Sequence, residues 1–518
     1  MDPEPLIGMS MGNMRAYLGR DGDNLEMGTN MLLQHTYYTL PYPPVSRAAP
    51  LALAAAAAAC APADGVDRIG GLPDVVLRNI VSRLPAKDAA RTSVLASRWR
   101  GLWRSAPLAL VDAHLLPAVV LRERCLDRDS PGVAAAVSRA LAAHPGPFRC
   151  FHLTRCKMDA HRAEIERWIQ LLAAKGVEEL VFVNRPWPLN LPLPAALFSC
   201  TTLTRLYIGV WRLPRTAALP RAAGFPHLRE LGLSMIFMED RDLAFLIDRC
   251  PVLEILVIFC TKTPVHLRLI SRSLRCVQIG FSYFTDISVV DAPCLERLLM
   301  WVTWSDSEDD KRPRIKIGHA PKLHVMGYFQ PEMCELEIGS TIIKAGIKAT
   351  AGTIVPSINV MAMEVRFEVR NEVKMLPSFL KCFPNIKTLH IRSEKADEAT
   401  GKVNLKFWQE AGPIECVQCH IKELIFHEFR GSRSEFAFLK FIAERAQVLE
   451  KMVIVVAYAC LSLENLNDKL KSLASAQWAS KGCRVQVFKS PLTQGGGPGY
   501  NTHIGSDFSC ADPFDLLS

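Results

Sequence analysis

FPHLRELGLSMIFMEDRDLAFLIDRCPVLEILVI, residues 225–258, holds one full structural period of the chain. It opens on Phe225-Pro226 and sets Leu228, Leu231 and Leu233 at spacings of three and two. It closes on Cys250-Pro251 and sets Leu253, Leu256 and Ile258 in the same spacing. A short apolar run bounded by proline reads as a buried strand. Between the two runs, residues 240–249 place Leu243, Leu246 and Ile247 on one side of a helix. Asp240 and Asp242 stand at its start, where carboxylates complement the positive end of the helix dipole. Strand, helical crossover and strand in one register give parallel strands that bury a continuous apolar stripe.

The spacing recurs along most of the chain. It appears at Val177/Leu180/Phe182, Leu203/Leu206/Ile208, Leu274/Val277/Ile279, Leu295/Leu298/Met300 and Leu323/Met326/Tyr328. Weaker copies follow at Val360/Met363/Val365, Ile386/Leu389/Ile391, Ile421/Leu424/Phe426 and Leu449/Met452/Ile454. Successive anchors from Val177 to Leu323 lie 26, 25, 25, 21, 21 and 28 residues apart, which resembles leucine-rich repeats, whose units run ~20–29 residues. Proline stands two residues before the anchor at Pro226, Pro251, Pro293, Pro321 and Pro384. There it ends the preceding crossover and launches the next strand at its first residues, where a missing donor is tolerated. The repeat consensus expects Asn or Cys after the strand, and only scattered cases such as Cys260 sit nearby. The resemblance is to a degenerate plant type, so regular horseshoe curvature does not follow.

Upstream, residues 67–104 read DRIGGLPDVVLRNIVSRLPAKDAARTSVLASRWRGLWR. Pro73 suits the first turn of a helix and Asp74 its dipole. Val76, Leu77, Ile80, Val81 and Leu84 fall at helical spacing, and Leu84-Pro85 ends the helix because the residue before proline is pushed out of the α region. A second short helix carries Ala89 and Ala90, and a third sets Leu95, Trp99, Leu102 and Trp103 at i, i+4, i+7 and i+8. A unit below ~40 residues rarely buries enough apolar surface to stand alone. It is therefore expected to dock on something. The segment resembles a plant F-box, with Leu72-Pro73-Asp74, the Leu84-Pro85-Ala86-Lys87 break and the closing Arg98-Trp99-Arg100. The departures are Ala96 and Ser97, where relatives commonly have Ser and a basic residue. The resemblance implies docking on a Skp-type adaptor and, through it, a cullin–RING ubiquitin ligase. Carried over by position, Leu72, Pro73, Val76, Leu77, Ile80, Leu84, Pro85, Val94, Leu95, Trp99 and Trp103 form that docking surface or the small core beneath it.

Residues 413–456 read as strand, Gly431 turn, helix (Phe438, Leu439, Ile442 and Ala446 on one face) and buried strand. They resemble the FBD domain that follows leucine-rich repeats in plant F-box proteins. Such a unit would cap a solenoid whose last strand otherwise invites pairing. A glycine-rich run from Gln494 to Gly499 begins what reads as a flexible tail.

The composition is globular, with 49% hydrophobic and 22% charged residues over 518 positions. The net charge of +9 is scattered. The dense run Lys311-Arg312-Pro313-Arg314 follows the acidic stretch from Ser305 to Asp310, so it reads as a solvated loop rather than a nucleic-acid patch. Sixteen dispersed cysteines, many inside apolar runs, read as reduced core thiols of an intracellular protein of the nucleus or cytoplasm. The Ala-rich run 48–63 is too short and too broken by proline to span a bilayer, and it is misplaced for a signal peptide. Cys416-Val417-Gln418-Cys419-His420 spells the c-type haem attachment motif, but no export signal accompanies it, and a pair of thiols flanking a strand is the plainer reading. No second ligand pair completes a zinc site, no phosphate loop is present, and no nucleophile, base and orienter assemble. No catalytic residue, metal or cofactor is expected.

The fold class expected is α/β. It consists of a three-helix F-box, then a degenerate leucine-rich-repeat solenoid with parallel strands on its concave face, ending in an FBD-type α/β cap. The divisions are 1–63 disordered extension, 64–112 F-box, 113–375 solenoid, 376–456 FBD-like domain continuing it, and 457–518 strand/helix remnant and flexible tail. The function implied is the substrate-recognition subunit of a Skp–cullin–F-box ubiquitin ligase. The alternative is a non-catalytic repeat scaffold or adaptor-sequestering protein outside an active ligase. Strand position singles out Arg205, Tyr207, Arg229, Glu254 and Arg297 as client contacts; neither nucleic acid nor membrane is an expected partner.

Overall fold

The computed structural model describes residues 33–45, 69–115, 130–186, 188–261, 265–304 (302–304 by backbone alone), 312–331, 333–347, 349–396, 398–458, 473, 476–490 and 500–515. The Ala-rich run 48–63, most of the acidic–basic run 305–314 and the glycine-rich run 494–499 lie outside the described residues. The chain divides into two compact units, residues 1–253 and 254–518.

The first unit opens with three helices, α1 (Asp74–Ser82), α2 (Ala86–Thr92) and α3 (Ser97–Ser105). The carbonyls of Pro73 and Pro85 accept the first helical bonds of α1 and α2, as prolines before a helix start should allow. Leu77, Val81, Ala89 and Leu102 are buried between the helices. Leu95 was expected on the third helix but lies before it, in the exposed turn that precedes the cap position Ala96. Arg98 supplies the closing link. Its guanidinium donates to Asp74 at 2.6 Å and to the carbonyl of Leu72 at 2.7 Å, tying α3 to the chain entering α1.

The helices do not stand alone. Strand β1 (Leu108–Val111) follows α3 directly and bridges to Pro85 through Ala109. It begins a parallel sheet that runs through β2 (Phe148–Leu153), β3 (Glu179–Val183), β4 (Arg205–Gly209) and β5 (Glu230–Ser234). Helices α4 (Ser130–Ala143), α5 (Arg162–Ala174) and α6 (Asp240–Asp248) form the crossover layer. Strand β2 repeats the spacing one period before Val177, with Phe151 paired to Leu180.

In the second unit one parallel sheet contains β6 (Ile255–Phe259), the first part of β8 (Cys276–Asp291), β9 (Arg297–Trp304), β11 (Val325–Phe329), β14 (Val360–Val365), β15 (Thr388–Ser393), β16 (Glu423–Phe429), β17 (Lys451–Val456) and β18 (Arg484–Lys489). Helices α7 (Arg370–Cys382), α8 (Leu405–Glu410) and α9 (Arg433–Arg445) lie in its later crossovers. The earlier crossovers were expected to be helical, and their described residues hold no α-helix, only a 3-10 turn at Ala351–Thr353. Strands β7 (Val265–Ile270), β10 (Arg314–His319), β12 (Glu335–Ile338) and β13 (Thr341–Ile342) make a second sheet with the end of β8. For β7 and the end of β8, the two 21-residue periods leave little chain for a helical crossover, and an extended return covers the same distance with fewer residues; β10, β12 and β13, in longer periods, continue the sheet those strands begin.

Three further expectations shift in register or extent. Met361 pairs with Leu389, so the repeat triple there is Ile358/Met361/Met363, not Val360/Met363/Val365. The prolines sit in turns rather than in strands. Leu228, Leu253, Leu295 and Leu323 donate back to the carbonyls of Phe225, Cys250, Ala292 and Ala320, which makes each intervening proline the second residue of a β-turn. Strand β18 pairs beyond β17, so the FBD-like segment does not end the sheet.

The strand ends share one backbone device, whether they carry the consensus residue, as at Cys260, or not. Val210, Met235, Cys260 and Phe281 adopt positive φ of 62°, 53°, 55° and 47° at successive strand ends or bends. All four side chains are buried. A left-handed non-glycine residue costs about 1–2 kcal/mol. Burying a large apolar side chain returns about 1.5–3 kcal/mol, so burial wins.

Candidate functional site

Two surfaces carry the candidate residues. The first is helical. Leu77 faces the core, while Val76 and Ile80, one turn apart on the other side of α1, are exposed at 43% and 38%. Val94 and Leu95, in the turn between α2 and α3, are exposed at 81% and 67%, and Val75 also faces solvent. Pro73 is exposed, and Leu72, Leu84, Pro85, Trp99 and Trp103 are half-buried. Val75, Val76, Ile80, Val94 and Leu95 thus place five exposed aliphatic side chains within 21 residues, which makes this the candidate docking surface. Trp103 turns inward, its ring edge-on to His144 at 5.2 Å.

The second is the sheet face opposite the crossover layer, where side chains alternate with the buried repeat leucines. In the first unit Cys150, Glu179, Arg205 and Glu230 align in register across β2 to β5. Arg205 bridges Glu230 at 2.7 Å and Glu179 at 3.1 Å, and the Tyr207 hydroxyl donates to Glu230 at 2.5 Å. Gly232 makes room for Tyr207, since a Cβ there would overlap the tyrosine ring. Arg229 is exposed just before β5. Tyr207, expected to face a partner, is instead buried with its hydroxyl engaged.

Cys150, His152 and Glu179 bring a thiol, an imidazole nitrogen and a carboxylate oxygen within 4.8 Å of one another, a set that could hold a metal ion. Burial works against the Glu179 charge, but His152 at 2.6 Å and Arg205 hold its carboxyl below the usual range. Burial, reinforced by Glu179, pushes the Cys150 thiol well up. Arg205, pressed by burial, is kept charged by Glu230 and Glu179. The arrangement balances a carboxylate already satisfied by protein donors.

In the second unit Glu254 lies 3.8 Å from Arg275, which also pairs with Glu296 at 2.7 Å. Arg297 was expected to meet a client and is buried by the chain's own C-terminus. Its Nη1 donates to the carbonyls of Gly505 at 2.9 Å and Asp507 at 3.0 Å, and its Nη2 to that of Cys510. Residues 500–515, expected as flexible tail, are packed across the sheet face. The N-terminal extension departs in the same way over residues 33–45. Residues 33–39 are helical, Leu33 is buried, Thr36 bonds Ser234 at 2.8 Å, and the Tyr37 hydroxyl donates to the carbonyl of Thr154.

The haem-like motif forms a π-helical turn, Cys416–His420, directly ahead of β16, so its two thiols flank a strand as expected. Cys416 is buried, with its thiol pushed up to about 12 by burial, and Cys419 is exposed.

Comparison with known proteins gives a consistent picture. Family profiles match at residues 69–110 (F-box domain), 165–391 (FBD-associated F-box protein At5g56370, LRR repeats) and 409–454 (FBD). The Arabidopsis thaliana F-box/LRR-repeat protein At3g26922 is 30% identical over 286 residues, covering 54% of this chain and 82% of the relative. F-box/LRR-repeat protein 13 from the same plant is 25% identical over 76% of this chain and 90% of its own length. F-box/FBD/LRR-repeat protein At1g13570 is 24% identical over 75% and 91%. With the helical segment, the repeat sheet and the terminal segment each matched in order, the chain belongs to the plant F-box/LRR-repeat family, among the members that carry an FBD domain.

Proposed function

We propose that this chain is the substrate-recognition subunit of a Skp–cullin–F-box ubiquitin ligase, working in the nucleus or cytoplasm. The F-box and repeat domains imply a receptor-type role. The observation that carries the finer reading is the split character of α1: Leu77 and Val81 are fully buried while Val76 and Ile80 are left to solvent, with Val94 and Leu95 beside the next helix start. The exposed set is the face a Skp-type adaptor would cover. The chain itself would contribute no bond chemistry. It would raise the effective concentration of client lysines near a charged ubiquitin-conjugating enzyme.

Reconstitution tests this reading. The full chain, mixed with a Skp-type adaptor, a cullin and its RING partner, is expected to elute as one assembly. Capture of the adaptor without the cullin supports the sequestering alternative and overturns the ligase reading. Failure to capture the adaptor overturns both.

A further inference from the structure

Residues 500–515 lie along the open face of the second unit as a bound peptide would. They add no strand to the sheet; side chains of the face hold them. Gln278 donates to the carbonyl of Thr502 at 2.8 Å and to the Ser506 hydroxyl at 2.7 Å. Arg297 donates to the carbonyls already named and to that of Ile504 at 3.3 Å. Apart from the Ser506 hydroxyl these contacts read backbone, and so fix register with little demand on sequence.

Three further contacts read side chains. Phe514 is fully buried, with its ring 5.5 Å from Trp301, 5.2 Å from Tyr328 and 5.6 Å from His390. The Asp512 carboxylate lies 2.8 Å from His390 Nε2. Phe508 lies under the Arg275 guanidinium at 3.7 Å and 5.1 Å from that of Arg297. The segment carries Asp507, Asp512 and Asp515 and neither Lys nor Arg. It meets a face where His390 takes the Asp512 carboxylate and Arg297 has no carboxylate partner of its own among the described residues, while Arg275 is shared with Glu254 and Glu296, so an acidic segment fits this face better than a basic one. A Cβ on Gly505 would overlap the Gln278 amide, which its bonds to Thr502, Ser506 and Trp301 hold in place.

We infer that this face is a peptide-binding site for extended acidic segments with a carboxylate two residues before an aromatic, as in Asp512-Pro513-Phe514, and that residues 500–515 occupy it as a built-in competitor. A client segment of that chemistry would bind by displacing them. The inference rests on the receptor reading only in taking the displacing segment to be a client. A competitor carried on the same chain suppresses binding through its effective concentration.

The test uses the full chain and a fluorescent peptide with the sequence of residues 500–515. Wild type is compared with Asp512→Ala/Phe514→Ala and, separately, with Gly505→Ala. Both variants should bind the peptide saturably and about tenfold or more tightly than wild type. Adding Arg297→Ala to either should abolish that binding, and a peptide carrying both alanines should not compete. The inference fails if neither variant binds the peptide while both still melt cooperatively. It fails equally if binding survives Arg297→Ala, or if both variants lose cooperative melting, which would make the segment part of the core. No adaptor is present, so these outcomes are independent of the ligase assembly.

Discussion

Val76 and Leu77 are adjacent in sequence and opposite in consequence. Leu77 is fully buried among the three helices, so Leu77→Ala should destabilise the first unit by about 2–5 kcal/mol in chemical denaturation. Val76→Ala with Ile80→Ala, both exposed, should shift that transition by less than about 1 kcal/mol. Equal effects would mean that α1 is turned the other way. Ala96 holds the cap position of α3 in extended conformation, with φ −161° and ψ 167°, and offers no side-chain acceptor. Ala96→Ser should therefore stabilise by about 0.5–2 kcal/mol, and an unchanged or lowered denaturation midpoint would contradict the cap assignment. The helical spacing of Val76, Leu77, Ile80 and Val81 was legible in sequence. Arg98 holding Asp74 was not, because the pairing spans 24 residues with no periodic signal. Tyr207 was misjudged, and the cover over Arg297 missed, for a related reason. Strand position tells which face a side chain takes, but not what covers that face.

Among the strands, the repeat triples were readable because period-two alternation and a proline turn recur together. The register slipped at Val360, where two apolar spacings compete and only the pairing of Met361 with Leu389 decides. The second sheet was missed because apolar anchors report one strand per period and say nothing of how the return is folded. Glu364 on β14 gives this part of the molecule a pH signature. Burial pushes its carboxyl up to about 8, with Arg392 opposing and Glu394 reinforcing. Between the ordinary value of 4.5 and about 8, the folded chain keeps a proton that the unfolded chain has released. Stability from this group is therefore unimpaired below that window and falls as pH rises through it. Glu364→Gln should flatten the decline in denaturation midpoint between pH 5 and 8; a slope equal to wild type would contradict the assignment.

Both termini were read as loose extensions, yet residues 33–45 and 500–515 each pack on the sheet of their own unit. Neither segment has a hydrophobic period, and both are held by scattered polar and aromatic contacts, which composition alone cannot reveal. On the proposed function, a client would contend with chain already in place, whereas an adaptor would meet exposed aliphatic side chains. Asp512→Ala should accordingly leave adaptor affinity unchanged within about twofold while loosening the C-terminal segment, seen as faster amide exchange over residues 500–515. The adaptor surface is the direct test of the account. The dissociation constant of the full chain for a purified Skp-type adaptor should rise by about 100-fold or more in Val76→Asp/Ile80→Asp, with the melting temperature within a few degrees of wild type. Affinity unchanged in that folded variant would contradict the assignment of α1 as the docking helix.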